Sequence, residues 1–151
     1  MYESDIIGEE KMYKKILVPT DGSEFAKKAQ KHALFIANVC DAEIIALSVS
    51  ENHFVNGISV NEEIEQLNEI LNDRCEADLK NFEDMNEDGI KITPLIKEGS
   101  PAKSILDVAS EEDVDLIVIG SSGKSGFDRF ILGSVSDKVV NAAKCPVLVV
   151  H

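Results

Sequence analysis

Short apolar segments alternate along the chain with segments whose apolar residues recur at helical spacing. The apolar segments are residues 16–18, 42–49, 91–99, 114–120 and 146–150. The helical segments begin at about residues 23, 61, 100 and 134. Strands that alternate with helices pair in parallel through right-handed crossovers. The pattern therefore predicts an α/β fold, a doubly wound parallel sheet of five strands with helices on both faces.

Single residues mark several of the predicted boundaries. Ser23 and Ser100 stand where a side-chain oxygen can cap the start of a helix. Ser134 is predicted to open the last helix in a capping box with Asp137. Pro94 lies inside the third strand, and because proline donates no ladder hydrogen bond, we expect that strand at an edge or a bulge.

The chain of 151 residues has the length of one ordinary domain. We expect residues 1–12 to be a leader outside the fold and residues 13–151 to form a single domain. The second helix, predicted over 61–86, has one apolar stripe and an acidic face. Between Glu62 and Asp88 the chain carries eleven carboxylates and two cations. A solvated face is the favoured interpretation of this charge, and a docking surface is the alternative.

The charge excludes several classes of function. There are 28 acidic and 15 basic residues, a formal net charge of −13. Nonspecific nucleic-acid binding and docking to an anionic membrane both need basic patches, so we expect neither. No apolar run approaches the ~18–20 residues that span a bilayer, and the acidic start of the chain does not resemble a signal peptide. These features predict a soluble, cytoplasmic protein.

The cysteines do not suggest a metal site. Cys40, Cys75 and Cys145 are far apart and form no CxxC pair. We expect reduced thiols that fill helix faces or the entrance of a strand, and no structural metal.

Two segments converge where chemistry is expected. In open parallel sheets, ligands bind at the carboxyl ends of the strands near the reversal of strand order. Residues 19–21 follow the first strand there, and residues 120–136 follow the fourth. The second segment carries Gly120, Gly123 and Gly133, and glycine lets backbone amides approach an anion. A helix then begins, whose N-terminal amides favour phosphate.

The charge of the second segment favours an anion site, and motif comparisons exclude a P-loop, a dinucleotide motif and a receiver domain. Residues 120–151 carry four cations and two acids, whereas the rest of the chain has a net charge of −15. The segment 122–125 resembles the end of a Walker A loop, but Val118 stands where that loop requires glycine. A GxGxxG dinucleotide motif and the acids of a receiver domain are also missing from the sequence.

The sequence resembles the universal stress protein family, in its ATP-binding branch. The resemblance is carried by ILVPTDGS (16–23), DLIVIGSSG (115–123) and FILGSVSDKVVNAAKCPVLVV (130–150). It covers nearly all of residues 13–150. It implies an adenine nucleotide alpha-hydrolase-like fold with sheet order 3-2-1-4-5.

The resemblance also implies a nucleotide site. It places Asp21 against the nucleoside and the backbone of Val49 on the adenine edge. The residues it assigns to the nucleotide are Pro19, Thr20, Asp21, Val49, Gly120, Ser121, Ser122, Gly123, Lys124, Gly133, Ser134, Val135 and Ser136. Ser48 and Ser122 depart from the family pattern, which often has histidine at the first position and histidine or arginine at the second. We expect these departures to alter affinity or nucleotide preference.

Structural interpretations of the same residues stay open at this stage. Asp21 could serve only as a helix N-cap, and Gly133 with Ser134 could be only a helix start. Two interpretations of Lys124 stand equally: it contacts a phosphate, or it lies in a solvated loop. No catalytic residue and no side-chain metal ligand is assigned.

The function implied is that of an ATP-binding stress or signalling protein. Mg²⁺ would accompany ATP through the phosphates. A homodimer is expected through the short apolar strand Pro146 to Val150, and the protein partner is not identified by the sequence. The alternatives are a slow ATP hydrolase or phosphotransferase, and a nucleotide-independent chaperone-like interaction module.

Overall fold

A computed structural model describes residues 12–51, 62–122 and 132–151. In these residues helices and strands alternate strictly. The elements are β1 (Lys15–Pro19), α1 (Glu24–Cys40), β2 (Glu43–Ser50), α2 (Glu62–Asp84), β3 (Ile92–Glu98), α3 (Pro101–Glu111), β4 (Leu116–Gly120), α4 (Ser134–Ala142) and β5 (Val147–Val150). The predicted leader falls almost wholly outside the described residues.

The strands form one parallel sheet in the order β3-β2-β1-β4-β5. The order and the parallel pairing confirm the predicted fold class. β3 lies at an edge, as Pro94 indicates, and Pro94 pairs in register with Ala46 of β2.

Alternate residues of the central strands pack on opposite faces of the sheet. Ile16 and Val18 of β1 join a core cluster with the alanine face of α1 and with Phe82 of α2. Leu17 joins a second cluster with Ile105 of α3 and with α4. Because both of their faces are buried, the central strands are continuous apolar segments in the sequence. The sheet is therefore doubly wound, with α1 and α2 on one face and α3 and α4 on the other.

The winding puts a crevice beside β1. The chain continues from β1 to β2 on one side, and later enters β4 on the other side. The crossover helices leave a gap above the carboxyl ends of β1 and β4, where the order reverses.

The helix starts follow the sequence in two cases and differ in one. Ser23 caps α1, because its hydroxyl oxygen accepts a 3.1 Å hydrogen bond from the Ala26 amide. Ser100 is the N-cap of α3, although its hydroxyl makes no capping bond. The predicted capping box of Ser134 is wrong, because Gly133 is the N-cap of α4 and no side chain caps that helix.

Backbone bonds explain the position of this N-cap. The Gly133 amide donates a 2.8 Å bond to the Ser121 carbonyl, and the Gly133 carbonyl accepts 2.9 Å from the Asp137 amide. These bonds make Gly133 the cap and Ser134 the first residue of the helix, one position later than the capping box requires.

Helix α2 is packed over only part of its length. Cys75, Leu79 and Phe82 of its predicted stripe are buried. Leu67 and Ile70, nearer its start, are exposed. All its carboxylates except that of Asp78 are exposed, as expected for a solvated face.

The three cysteines are free thiols, as predicted. Partial burial raises the pKa of the Cys145 thiol above its ordinary value, since burial disfavours the thiolate. No helix in the described ranges is long and apolar enough to cross a membrane.

Candidate functional site

A cavity of about 450 Å³ opens at the carboxyl ends of β1, β2 and β4. Its walls come from the turn after β1, the last residues of β2, the first turn of α4 and the middle of α2. Ten of the predicted nucleotide-binding residues line it: Pro19, Thr20, Asp21, Val49, Gly120, Ser122, Gly133, Ser134, Val135 and Ser136. The cavity therefore lies at the carboxyl ends of the strands, where the sequence predicts a ligand.

The remaining predicted residues fall elsewhere. Ser121 is buried beside the cavity and acts through its backbone. Gly123 and Lys124 lie outside the described residues. Ser48, the first departure from the family pattern, is buried in the cavity wall.

The turn after β1 is fixed by hydrogen bonds. The Thr20 amide donates to the Leu47 carbonyl at 2.8 Å, which ties the turn to β2. One carboxylate oxygen of Asp21 accepts 2.9 Å from the Ser23 amide. Because Ser23 itself caps α1, the interpretation of Asp21 as the helix N-cap is wrong. Asp21 instead braces the turn from the cavity side.

Gln30 of α1 supports the same turn from behind. Its side-chain nitrogen donates a 2.6 Å hydrogen bond to the Thr20 hydroxyl oxygen, and both side chains are buried. A hydroxyl that accepts this bond keeps its own proton to donate elsewhere. Sequence reasoning missed Gln30. The available signal was one amide on the stripe of small residues that buries α1: Ala26, Ala29, Ala33 and Ala37.

The opposite end of the cavity is made of backbone amides. Three bonds join the end of β4 to the start of α4 and to the end of β5. The Ser121 amide donates to Val150 at 2.8 Å, the Gly133 amide donates to Ser121, and the Ser136 hydroxyl donates to the Gly120 carbonyl at 2.7 Å. The first amides of a helix have no partner within the helix. Those of residues 134–136 make no bond to an acceptor in the described part of the chain, and their residues line the cavity.

The two described glycines of the motif serve different contacts. A Cβ on Gly120 would lie 2.8 Å from the backbone carbonyl carbon of Phe25, so this glycine lets the first turn of α1 pack on β4. A Cβ on Gly133 would lie 3.2 Å from the Cα of Ser122, across the mouth of the loop. Gly120 is thus required by packing, a reason different from the predicted approach of an anion.

Helix α2 forms a wall that the sequence did not predict. Leu71, Arg74, Cys75 and Asp78 line the cavity. The Asp78 carboxylate lies against Gly22, where an added Cβ would come within 2.5 Å of its Oδ1. The apolar stripe of α2 was visible in the sequence, but which part of it passes beyond the sheet depends on the tertiary packing.

Charge is distributed unevenly along the cavity. Asp21, Glu51 and Asp78 line the end near β1 and β2, together with Arg74. Around the α4 amides, the described lining contains no carboxylate. One end thus offers acceptors and a guanidinium, and the other offers amide donors. Among the described residues, no group of three histidine, cysteine or acidic side chains is arranged to hold a metal ion.

The sheet order 3-2-1-4-5 defines a doubly wound α/β protein, and its cavity lies at the switch point, where proteins of this class bind their ligands. Residues 12–151 match the model of the Universal stress protein family. The chain belongs to the universal stress protein family.

Individual relatives agree with this placement. Universal stress protein MJ0531 of Methanocaldococcus jannaschii is 42% identical over 142 residues, which is 93% of this chain and 84% of the relative. The solved structure of MJ0577, from the same organism, has a TM-score of 0.81 at 37% identity and covers 92% of this chain and 96% of its own. A universal stress protein solved in complex with cAMP has a TM-score of 0.72 at 27% identity, covering 93% and 98%.

Proposed function

We propose that this chain binds an adenine nucleotide, ATP with Mg²⁺, in the cavity at the carboxyl ends of β1, β2 and β4. Nucleotide occupancy would act as a switch in a cytoplasmic stress or signalling response. The observation that carries the proposal is the set of amides at residues 134–136, which make no bond to an acceptor in the described part of the chain and whose residues line a cavity of about 450 Å³. A helix N-terminus supplies donors and a favourable dipole for phosphate.

The uneven charge supports one orientation of the nucleotide. The phosphates would lie at the amide end, because Asp21, Glu51 and Asp78 would repel them at the other end. The nucleoside would lie near Asp21 and the end of β2, where carboxylates and backbone groups accept and donate hydrogen bonds. Mg²⁺ would be held through the phosphates, without an assigned side-chain ligand. The related protein solved with cAMP supports an adenine nucleotide as the class of ligand.

We further propose that two chains associate through β5. This strand lies at the edge of the sheet, and its Leu148 is exposed. An uncovered apolar edge strand invites pairing with another chain. A two-fold dimer with antiparallel β5 strands would cover it.

The nucleotide site can be tested at Ser134, the exposed first residue of α4. Ser134→Asp places a carboxylate at the helix N-terminus, where it stabilises a helix by about 0.3–1 kcal/mol. The same charge repels phosphate. Ser134→Asn is the matched control, because asparagine has nearly the same size as aspartate and carries no charge.

Calorimetry with ATP, cAMP and adenosine separates the outcomes. We expect Ser134→Asp to lose at least about tenfold in ATP affinity, roughly 1.4 kcal/mol, while adenosine affinity and thermal stability are kept. Ser134→Asn should bind ATP much as the wild type does. Equal ATP affinity in both variants would overturn the phosphate site. If the wild type binds none of the three ligands, and mass spectrometry finds no nucleotide retained through purification, the interaction-module alternative is favoured.

A further inference from the structure

The outward face of α1 carries two apolar side chains among basic residues. Lys28, Lys31, His32, Phe35 and Val39 recur at spacings of three and four, so they share one face, called here the α1 stripe. All five are exposed. Phe35 and Val39 have relative exposures of 69% and 67% and lie one turn apart. A contiguous exposed apolar pair suggests a contact surface, unlike single apolar residues scattered on a surface.

The charge of this face is opposite to that of the protein. Residues 25–40 contain three lysines and no carboxylate, in a chain with a net charge of −13. Lys28 lies over the Phe25 ring at 5.8 Å. In the described ranges, neither Lys28 nor Lys31 has a carboxylate within ion-pair distance. The chemistry that complements the α1 stripe is therefore acidic and apolar together.

The first eleven residues of the chain have that chemistry. Residues 1–11, MYESDIIGEEK, contain four carboxylates and one lysine, a net charge of −3, around the pair Ile6 and Ile7. They lie outside the described residues.

This segment joins the fold at the end of α1 that carries Val39. The Lys14 carbonyl accepts a 2.9 Å bond from the Glu43 amide, and Glu43 is three residues beyond the end of α1. Met12 is 78% exposed at this point. Eleven extended residues reach up to about 36 Å, and the 17 residues of α1 span about 25 Å. The segment is long enough to follow the whole stripe.

Other helix ends on this side of the sheet are acidic. Helices α2 and α3 also end here, since residues 91 and 115 pair with the amino ends of β2 and β1. Their ends carry exposed carboxylates at residues 83, 84, 87 and 88 and at residues 111–113. A segment of charge −3 is repelled from both ends and attracted to residues 25–40 of α1, which carry no carboxylate, although the C-cap beyond them, Asp41, is acidic and exposed.

We propose that residues 1–11 dock on the α1 stripe of the same chain. Ile6 and Ile7 cover Phe35 and Val39, and the carboxylates of Glu3 and Asp5, which precede them, lie near Lys31 and Lys28. The docked segment occupies the outer face of α1, while the nucleotide site uses the inner face and the start of that helix. The proposal is independent of the proposed function.

The contact can be observed directly by nuclear magnetic resonance on the full chain. We expect cross-relaxation peaks between the Ile6 and Ile7 methyl groups and the Phe35 ring in low-salt buffer. Lys28→Glu combined with Lys31→Glu should remove the peaks, and Lys138→Glu, an exposed lysine on the other face of the sheet, should leave them. At about 1 M salt, where the Debye length is ~3 Å, the peaks should weaken.

Two results of the same experiment would overturn the proposal. Absence of any peak between residues 1–11 and α1 in the wild-type chain would overturn the proposal. Peaks that appear only between labelled and unlabelled chains in a mixed sample would also overturn it, because the segment would then cover a second copy. Restoration of the peaks in the lysine double variant by Glu3→Lys with Asp5→Lys would establish that charge pairing guides the docking.

Discussion

The side-chain amide of Gln30 donates a 2.6 Å hydrogen bond to the hydroxyl of Thr20 in the interior of the protein. Thr20 follows β1 and lines the cavity, and its own amide is bonded to Leu47 of β2. Gln30 therefore links helix α1 to the turn that begins the candidate site. The bond couples the packing of the helix to the position of a threonine that lines the cavity.

Removing this donor should destabilise the fold measurably. Gln30→Leu leaves the buried Thr20 oxygen without its partner, and an unsatisfied buried polar group costs about 1–3 kcal/mol. Replacing both partners, as Gln30→Leu with Thr20→Val, should recover part of that loss, because no polar atom is then left unpaired. Urea denaturation of the two single variants and the double variant measures the coupling. A double variant as unstable as the sum of its parts would contradict the account.

The sequence predicted the sheet more completely than it predicted the site. The alternation of elements predicted a parallel, doubly wound sheet, the resemblance implied the order of its strands, and Pro94 correctly indicated an edge strand. Gln30 and Asp78 were missed, because their roles depend on which helix face meets which strand end. Gly133 took the cap position expected for Ser134, since a backbone bond to Ser121 fixes it there. Long-range contacts of this kind leave no local pattern in the sequence.

The two described glycines of the motif should respond differently to alanine. In Gly120→Ala the new Cβ would meet the backbone of Phe25 at 2.8 Å, and α1 would have to move. In Gly133→Ala the nearest atom, Ser122 Cα, is at 3.2 Å, and the φ of −59° suits any residue. We expect Gly120→Ala to lose about 1–3 kcal/mol, typical of overpacking, and Gly133→Ala to lose less. Thermal denaturation compares them, and the reverse order would refute this assignment of roles.

The proposed dimer can be tested on the exposed side of β5. Val149 packs against the cluster shared with α3 and α4, so lysine there would damage the core. Leu148 has 36% relative exposure, and Leu148→Lys places a charge on the edge strand without filling that cluster. We expect a monomer with native circular dichroism in light scattering at tens of micromolar. A wild-type chain that is already monomeric there would count against the dimer.

Hydrolysis of bound ATP should be slow. Fast phosphoryl transfer needs a group that orients the attacking water and charge that stabilises the transition state. At the amide end, the described lining offers the hydroxyls of Ser122, Ser134 and Ser136, which are weak bases, and Ser136 already donates to Gly120. The carboxylates of the described cavity wall lie at the other end. We therefore expect turnover well below the ~1–100 s⁻¹ of working kinases, so that occupancy carries the signal.

A steady-state phosphate-release assay with Mg²⁺ and purified protein measures this turnover. The control is Ser134→Asp, which keeps the fold and should lose the phosphate site, so any release that persists in it comes from contamination. A second control is Gly123→Val, which puts a branched side chain in the predicted phosphate loop, outside the described residues. A wild-type rate above about 1 s⁻¹ that disappears in both variants would contradict the proposed switch. ATP would then be hydrolysed too quickly for its occupancy of the site to act as the signal. The chain would then be an ATP hydrolase, with its water-orienting group to be sought between residues 123 and 131, where Asp128 is the one carboxylate.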